Sequence, residues 1–542
     1  MVGTFPTWLL QNNTKLQVLS LRNNSFSGIL QVPNSKCILL HVDISSNNFT
    51  GQLPENIGTI LPNLSYIDMS KNCLEGNIPS SMGEMKRLSI LDLSRNNFSG
   101  ELPNHFVDGC FSLELLRLSD NKFHGQIFPR QMNLTQLQWL YLDNNFSGKI
   151  GDGLLNATFL YFLNISNNKV SGQIPSWIGN FSSLAYLLMS KNLLEGTIPI
   201  QLNNLKSLEM LDIFENRLFG SIAIDFNLLS VSYLYMQKNA LSGSIPSSLF
   251  ESFELITLDL RENKFSGNID PHWFNDHSAL KFLLLSGNHL QGHIPNQLCR
   301  LQNLGLLDLS HNRLNGSIPS CFTNLTRWRK VETEWKDFFP RYGFDVPSDA
   351  QGFYNHDSSI TMEEESSGFA SVEVTLEVEF TMKNRFESYK GYPLGKVVGL
   401  DLSDNELTGE IPSKIGDLQG IIALNLSYNL LSGPIPKSFS NLKEIESLDL
   451  SHNNLSGQIP TQLTQLNYLE VFNVAHNNLS GSIPDQAQFG SFNESDYEGN
   501  PYLCGQLIKK SCTNEPIPPP LASIEKEDDN ESSIDMVMVL FH

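Results

Sequence analysis

The sequence predicts an α/β-type repeat solenoid, a right-handed superhelix of short coils with a concave parallel β-sheet. Three observations predict it. The phrase Leu91-Asp92-Leu93-Ser94-Arg95-Asn96-Asn97-Phe98-Ser99-Gly100-Glu101-Leu102-Pro103 returns as Leu448-Asp449-Leu450-Ser451-His452-Asn453-Asn454-Leu455-Ser456-Gly457-Gln458-Ile459-Pro460. Its period is 23 to 25 residues, the length of one solenoid coil. One asparagine anchors every copy: Asn24, Asn47, Asn72, Asn96, Asn121, Asn145, Asn168, Asn192, Asn216, Asn239, Asn263, Asn288 and Asn312, then Asn405, Asn429, Asn453 and Asn477.

Each part of the phrase has a physical role. Alternate residues of Leu-x-Leu point inward from a short strand, so stacked coils bury a leucine column and form a continuous parallel sheet. The anchoring asparagine sits where the chain leaves the strand, and its amide can satisfy backbone groups that would otherwise be buried unpaired. Gly100 and Gly457 allow the following turn, and Ile/Leu-Pro starts the convex return without needing a backbone donor. Seventeen coils about 4.8 Å apart make a solenoid roughly 80 Å long.

Composition excludes several function classes. With 36 basic against 57 acidic residues, the net charge is -21, which argues against nucleic acid and anionic lipid as partners. Seven cysteines, none in a CxxC pair, give no support to a metal or redox centre. No GxGxxG, GxSxG or HExxH motif is present, so neither catalytic residues nor a cofactor are expected. His311, His452 and His476 each precede an anchoring asparagine and read as solvated strand-edge residues. Asn-x-Ser/Thr sequons suit passage through a glycosylating compartment: Asn12, Asn48, Asn63, Asn97, Asn133, Asn156, Asn180, Asn315, Asn324, Asn425, Asn454, Asn478, Asn493 and Asn530. Some of them arise from the repeat's own wording.

The extended phrase Leu-x-x-Leu-x-Leu-x-x-Asn-x-Leu-x-Gly-x-Ile-Pro runs from Leu304 to Pro319 and, with Ile first, from Ile445 to Pro460. It resembles the plant-type leucine-rich repeat. Many repeats, an interruption and four further repeats look like the ectodomain of a plant leucine-rich-repeat receptor-like protein. On that resemblance residues 1–325 are repeats, 326–396 an island domain, 397–490 four repeats, 491–514 a C-terminal cap and 515–542 an acidic, Pro-containing tail. The island opens with Trp328, Trp335, Phe338, Phe339 and Tyr342 and passes through Glu363-Glu364-Glu365. It then alternates from Val372 to Phe380, which is a strand's period.

The resemblance implies a kinase-less receptor that recognises a peptide, protein or glycan ligand and signals through co-receptor kinases in defence or development. A full-length family member would sit on the extracellular face of the plasma membrane. This chain shows no signal peptide and no apolar run of spanning length, and Gly3-Thr4-Phe5-Pro6 reads as the second half of a repeat, so a truncated form is expected. The alternative is a soluble inhibitor or decoy of a secreted enzyme, similar to polygalacturonase-inhibiting proteins. Those are shorter and lack an island. In the cap, Cys504 is expected to pair with Cys512. Cys299 and Cys321 lie nearly one repeat apart, so adjacent coils could bring them within disulfide range. Cys73 has no such neighbour.

The ligand is expected on the concave face. In many coils its inner positions hold Asp and Ser, as Asp92 and Ser94 or Asp308 and Ser310. The middle coils instead place Trp139, Tyr141, Phe162, Tyr186, Leu188, Met210, Phe214, Tyr233 and Tyr235 on consecutive strands, with Arg261 and Phe282 beyond. Stacking makes them one exposed aromatic patch, of the kind that marks a partner site.

Overall fold

The computed structural model describes residues 1–11, 13, 15–32, 37–128, 132–276, 278–329, 342–343, 371–372, 377–382, 385–390 and 397–512. Asn12, Asn530, the tail and most of the interruption lie outside them.

A typical coil has three parts. A three-residue strand such as Ile90–Asp92 turns into a second strand, Asn97–Gly100, and the convex side carries a one-turn helix such as the 3-10 helix Ser176–Asn180. The Leu-x-Leu side chains are fully buried, as at Leu91, Leu93, Leu448 and Leu450. Pro175 precedes its helix in an extended conformation, φ -67° and ψ 134°, where its missing N–H costs nothing. Two positive-φ residues make the sharp bends of a typical coil: Arg95 at 54° just before the anchor, and Gly100 at 83°. A Cβ at Gly100 would come within 2.3 Å of Asn77 Oδ1, so the glycine is required by space as well as by φ.

Stacking produces two parallel β-sheets. The concave one holds seventeen strands, from Val18–Ser20 to Val471–Asn473. Its register is strict: Ile90 pairs with Leu115, Leu115 with Trp139, and Trp139 with Phe162. The interruption does not break the ladder. Leu306, Leu307 and Asp308 pair with Gly399, Leu400 and Asp401, so the intervening chain is looped out between adjacent coils.

The asparagine ladder works as the spacing predicts. Asn96 Nδ2 donates to Met69 O, Leu93 O and Ser94 O at 2.9, 3.1 and 3.2 Å, and its Oδ1 accepts from Leu74 N at 3.0 Å. One side chain thus satisfies backbone groups in its own coil and in the one before it. Two rungs differ from the sequence reading. Asn144, not Asn145, fills its rung, donating to Leu118 O at 2.9 Å and accepting from Asn121 N at 3.1 Å. That coil lacks the positive-φ residue before the anchor, which moves the register by one. Beyond Asn477, Asn500 adds a rung, donating to Val474 O at 2.9 Å and accepting from Leu479 N at 3.0 Å.

The ends of the leucine column are covered. Val2–Thr4 pairs with Ser25–Ser27, and Phe5 packs edge-on against Phe49. At the far end Phe472, Phe489, Phe492 and Tyr497 form a ring cluster. Cys504 is joined to Cys512 beyond it, and Cys299 to Cys321 on adjacent coils, with Cα–Cα distances of 5.1 and 5.9 Å. Cys37, Cys73 and Cys110 stand outside these two disulfides.

Candidate ligand-binding wall

The middle strands carry large rings because nothing in the coil's own packing uses the concave-facing positions. Parallel register sets the rings about one strand apart, close enough to stack. Trp139 lies 5.6 Å from Phe162, Tyr141 4.5 Å from Phe162, and Phe162 5.7 Å from Tyr186. Tyr161, which the sequence reading passed over, lies 5.1 Å from Trp139 and 5.7 Å from Tyr186. Its signal was its place next to Phe162 at the strand's start. The Arg117 guanidinium sits over Tyr141 at 4.4 Å and holds Asp92 at 3.2 Å, ending the ring column toward the N-terminal coils.

The patch is not exposed, and this corrects the sequence expectation. Trp139, Tyr141, Phe162, Tyr186, Met210, Tyr233, Tyr235 and Phe282 are between 0% and 7% exposed, while Leu188 and Phe214 are half-buried. Ring-on-ring stacking hides part of each face. A second cause is the interruption. Its antiparallel strands Glu377–Met382 and Arg385–Lys390 send Val378 and Phe380 into the same apolar cluster as Phe282, Leu284, Leu306, Val397 and Ala423. Phe380 rests on Gly399, whose added Cβ would lie 2.7 Å from the ring. Trp328, at the start of the interruption, is buried against Phe322 instead of being offered to solvent.

Arg261 is also unlike its sequence expectation of an outward ligand contact. It is 3% exposed, and its Nη2 and Nε donate to Asp259 at 2.6 and 2.9 Å. Beside that ion pair lie polar groups that sequence reading missed. Asp212 accepts from Ser190 Oγ at 2.7 Å and from Phe214 N at 3.2 Å, yet desolvation pushes its carboxyl up to about 7. Among the described residues Gln237 Oε1 is buried without a hydrogen-bond partner. Burial likewise pushes Tyr233 up to about 12. The inward Asp and Ser of ordinary coils are engaged with each other: Asp92 accepts from Ser94 Oγ at 2.6 Å, and Asp308 from Ser310 Oγ at 2.7 Å. These bonds close local turns.

The sequons fall at distinct places. Asn48, Asn97, Asn133, Asn180, Asn324, Asn454, Asn478 and Asn493 are exposed, and Asn63, Asn156 and Asn315 are half-buried. Asn425 lies on the concave sheet, donating to Asp401 at 3.1 Å and accepting from Ser427 Oγ at 2.7 Å. Among the described residues no His/Cys/Asp/Glu group could hold a metal ion. No helix there is long and apolar enough to cross a membrane.

Family models for leucine-rich repeats match residues 396–455 and six further segments between 39 and 325. Receptor-like protein 15 of Arabidopsis thaliana is 53% identical over 153 residues, 28% of this chain and 16% of that protein. Receptor-like protein 9a of the same plant is 48% identical over 173 residues, 32% of this chain and 18% of that protein. The match thus spans less than a fifth of either relative's own length. The crystal structure of PEPR1-AtPEP1 superposes with a TM-score of 0.63 at 26% identity, covering 93% of this chain and 71% of that one. Repeat wording, two parallel ladders and these likenesses agree: the chain is a leucine-rich-repeat solenoid similar to the plant leucine-rich-repeat receptor-like proteins.

Proposed function

We propose that this chain is the ligand-recognition part of a kinase-less receptor-like protein at the outer face of the plasma membrane. A peptide, protein or glycan ligand is recognised at the concave wall, and the signal passes through partner receptor kinases in defence or development. The chain itself performs no catalysis. The observation that carries this reading is the break in the repeat's default. Eight concave positions of the middle coils carry large apolar side chains that the coils' own leucine columns do not need. The hairpin of the interruption bears on the same apolar cluster, so ring column and hairpin form the two sides of one site. The four coils after the interruption, anchored from Asn405 to Asn477, offer their flank to the partner kinase.

The test uses the full-length receptor. Tyr141→Ala, Tyr186→Ala and Tyr235→Ala should each weaken ligand binding by about 1–3 kcal/mol, whereas Asp92→Ala and Ser310→Ala should change it little. Because these tyrosines are buried, each variant's unfolding midpoint is measured alongside. Equal small losses at all five positions, in folded variants, would place the ligand elsewhere.

A further inference from the structure

The one-residue register change at Asn144 alters the role of its neighbour. Were Asn145 the anchor, its amide would be locked inside the solenoid. With Asn144 in the rung, Asn145 is the exposed first residue of the second strand Asn145–Lys149. It begins the sequon Asn145-Phe146-Ser147. Phe146 points into the core at 0% exposure, and Asn145 and Ser147 both face outward.

Four other sequons share that position. Asn48, Asn97, Asn454 and Asn478 are each the exposed first residue of the second strand in their coils. The position suits a bulky attachment, because alternation on a strand turns the first and third side chains away from the core. We propose that Asn145 is a site of N-linked glycosylation, equivalent to these four. The amide Nδ2 bonds to the anomeric carbon of a lipid-linked oligosaccharide, the lipid diphosphate leaves, and the amide proton passes to solvent.

A second overlooked sequon shows what the fold forbids. Asn164-Ile165-Ser166 starts on the concave sheet, where Asn164 pairs in register with Tyr141 and Leu188. Its Oδ1 accepts from Ser166 N at 2.9 Å. A glycan there would stand among rings that are less than a tenth exposed and could not be accommodated in the folded wall. Sequon wording is the same at the two sites, and position in the coil separates them.

The inference rests on the extracellular part of the proposed function. The full chain, carrying a secretion signal, is made in plant cells, and its glycans are removed in heavy-oxygen water by a peptide N-glycanase that tolerates core fucose. Peptide mapping should find labelled aspartate at Asn145 as at Asn97, and none at Asn164. Asn145→Gln should lower the intact mass by one glycan while leaving the unfolding midpoint unchanged. An unlabelled Asn145 beside a labelled Asn97, or label at Asn164 in folded protein, overturns the proposal. Label at no sequon in secreted protein overturns the extracellular reading as well.

Discussion

The ring of Phe380 fills the space that a side chain at residue 399 would need: a Cβ on Gly399 would lie 2.7 Å from Phe380 Cε1 and 3.1 Å from Leu306 Cδ2. Gly399 belongs to the first coil after the interruption, and Leu306 to the last coil before it. The looped-out hairpin is therefore seated at the junction that produced it.

Gly399→Ala should consequently loosen the hairpin. Overpacking of this kind costs about 1–3 kcal/mol, and proteolysis within 377–390 should become faster while the solenoid stays intact. Phe380→Ala should absorb much of the loss when combined with Gly399→Ala. A double-mutant cycle showing full additivity would deny the contact.

The ladder gives a sharper contrast. Asn144→Ala removes a side chain that makes two bonds to the preceding coil and should destabilise by about 1–3 kcal/mol through orphaned backbone groups. The exposed neighbour should matter little, so Asn145→Ala should stay within about 0.5 kcal/mol. Chemical denaturation of the two variants decides which asparagine holds the rung.

How much of this was legible in the sequence depends on range. The period, the leucine columns and the asparagine rungs are consequences of one coil's wording, so they could be read directly. The Asn144 rung could not, because the repeat tolerates loss of the residue before the anchor and Asn144-Asn145 offers two candidates. Asn500 was missed because its coil dissolves into the cap, leaving the asparagine without its leucine phrase. Burial of the ring column was missed for another reason. Alternation from Val372 to Phe380 predicted a strand, and the described strands Ser371–Val372 and Glu377–Met382 lie within or overlap that range, but periodicity does not say which distant surface its apolar face will meet.

Stability should rise as the pH is lowered from about 7.5 to about 6. Burial pushes the carboxyls of Asp68, Asp212 and Asp401 up to about 7, above their unfolded values near 3.9. The folded state binds protons that the unfolded state has released, so their contribution is lost as pH rises through about 7. His41 and His452 are shifted downward, by burial first, and oppose this trend once the pH falls below about 6.5. Asp212→Asn should flatten the profile. A midpoint that climbs steadily from pH 6 to 7.5 would contradict the assignment.

The thiols should sort by burial. Cys73 is exposed, whereas Cys110 is buried with its thiol pushed up to about 12 and donating to Met82 O at 3.2 Å. Native alkylation should label Cys73 readily and Cys110 only on unfolding. Mass mapping should find Cys299 linked to Cys321, which closes a 22-residue separation and stabilises by about 3 kcal/mol. Finding both of these cysteines alkylatable in non-reduced protein would remove that bridge.

In the proposed function the ring column and the hairpin are two sides of one recognition site. Hydrogen–deuterium exchange of the full-length receptor, with and without its ligand, tests it most directly. Protection should change at the strands from Trp139–Tyr141 to Tyr233–Tyr235 and at Glu377–Met382 and Arg385–Lys390, while His41–Asp43 and Tyr66–Asp68 stay as they were. Changes confined to the outer coils, with ring strands and hairpin unaltered at saturating ligand, would contradict it.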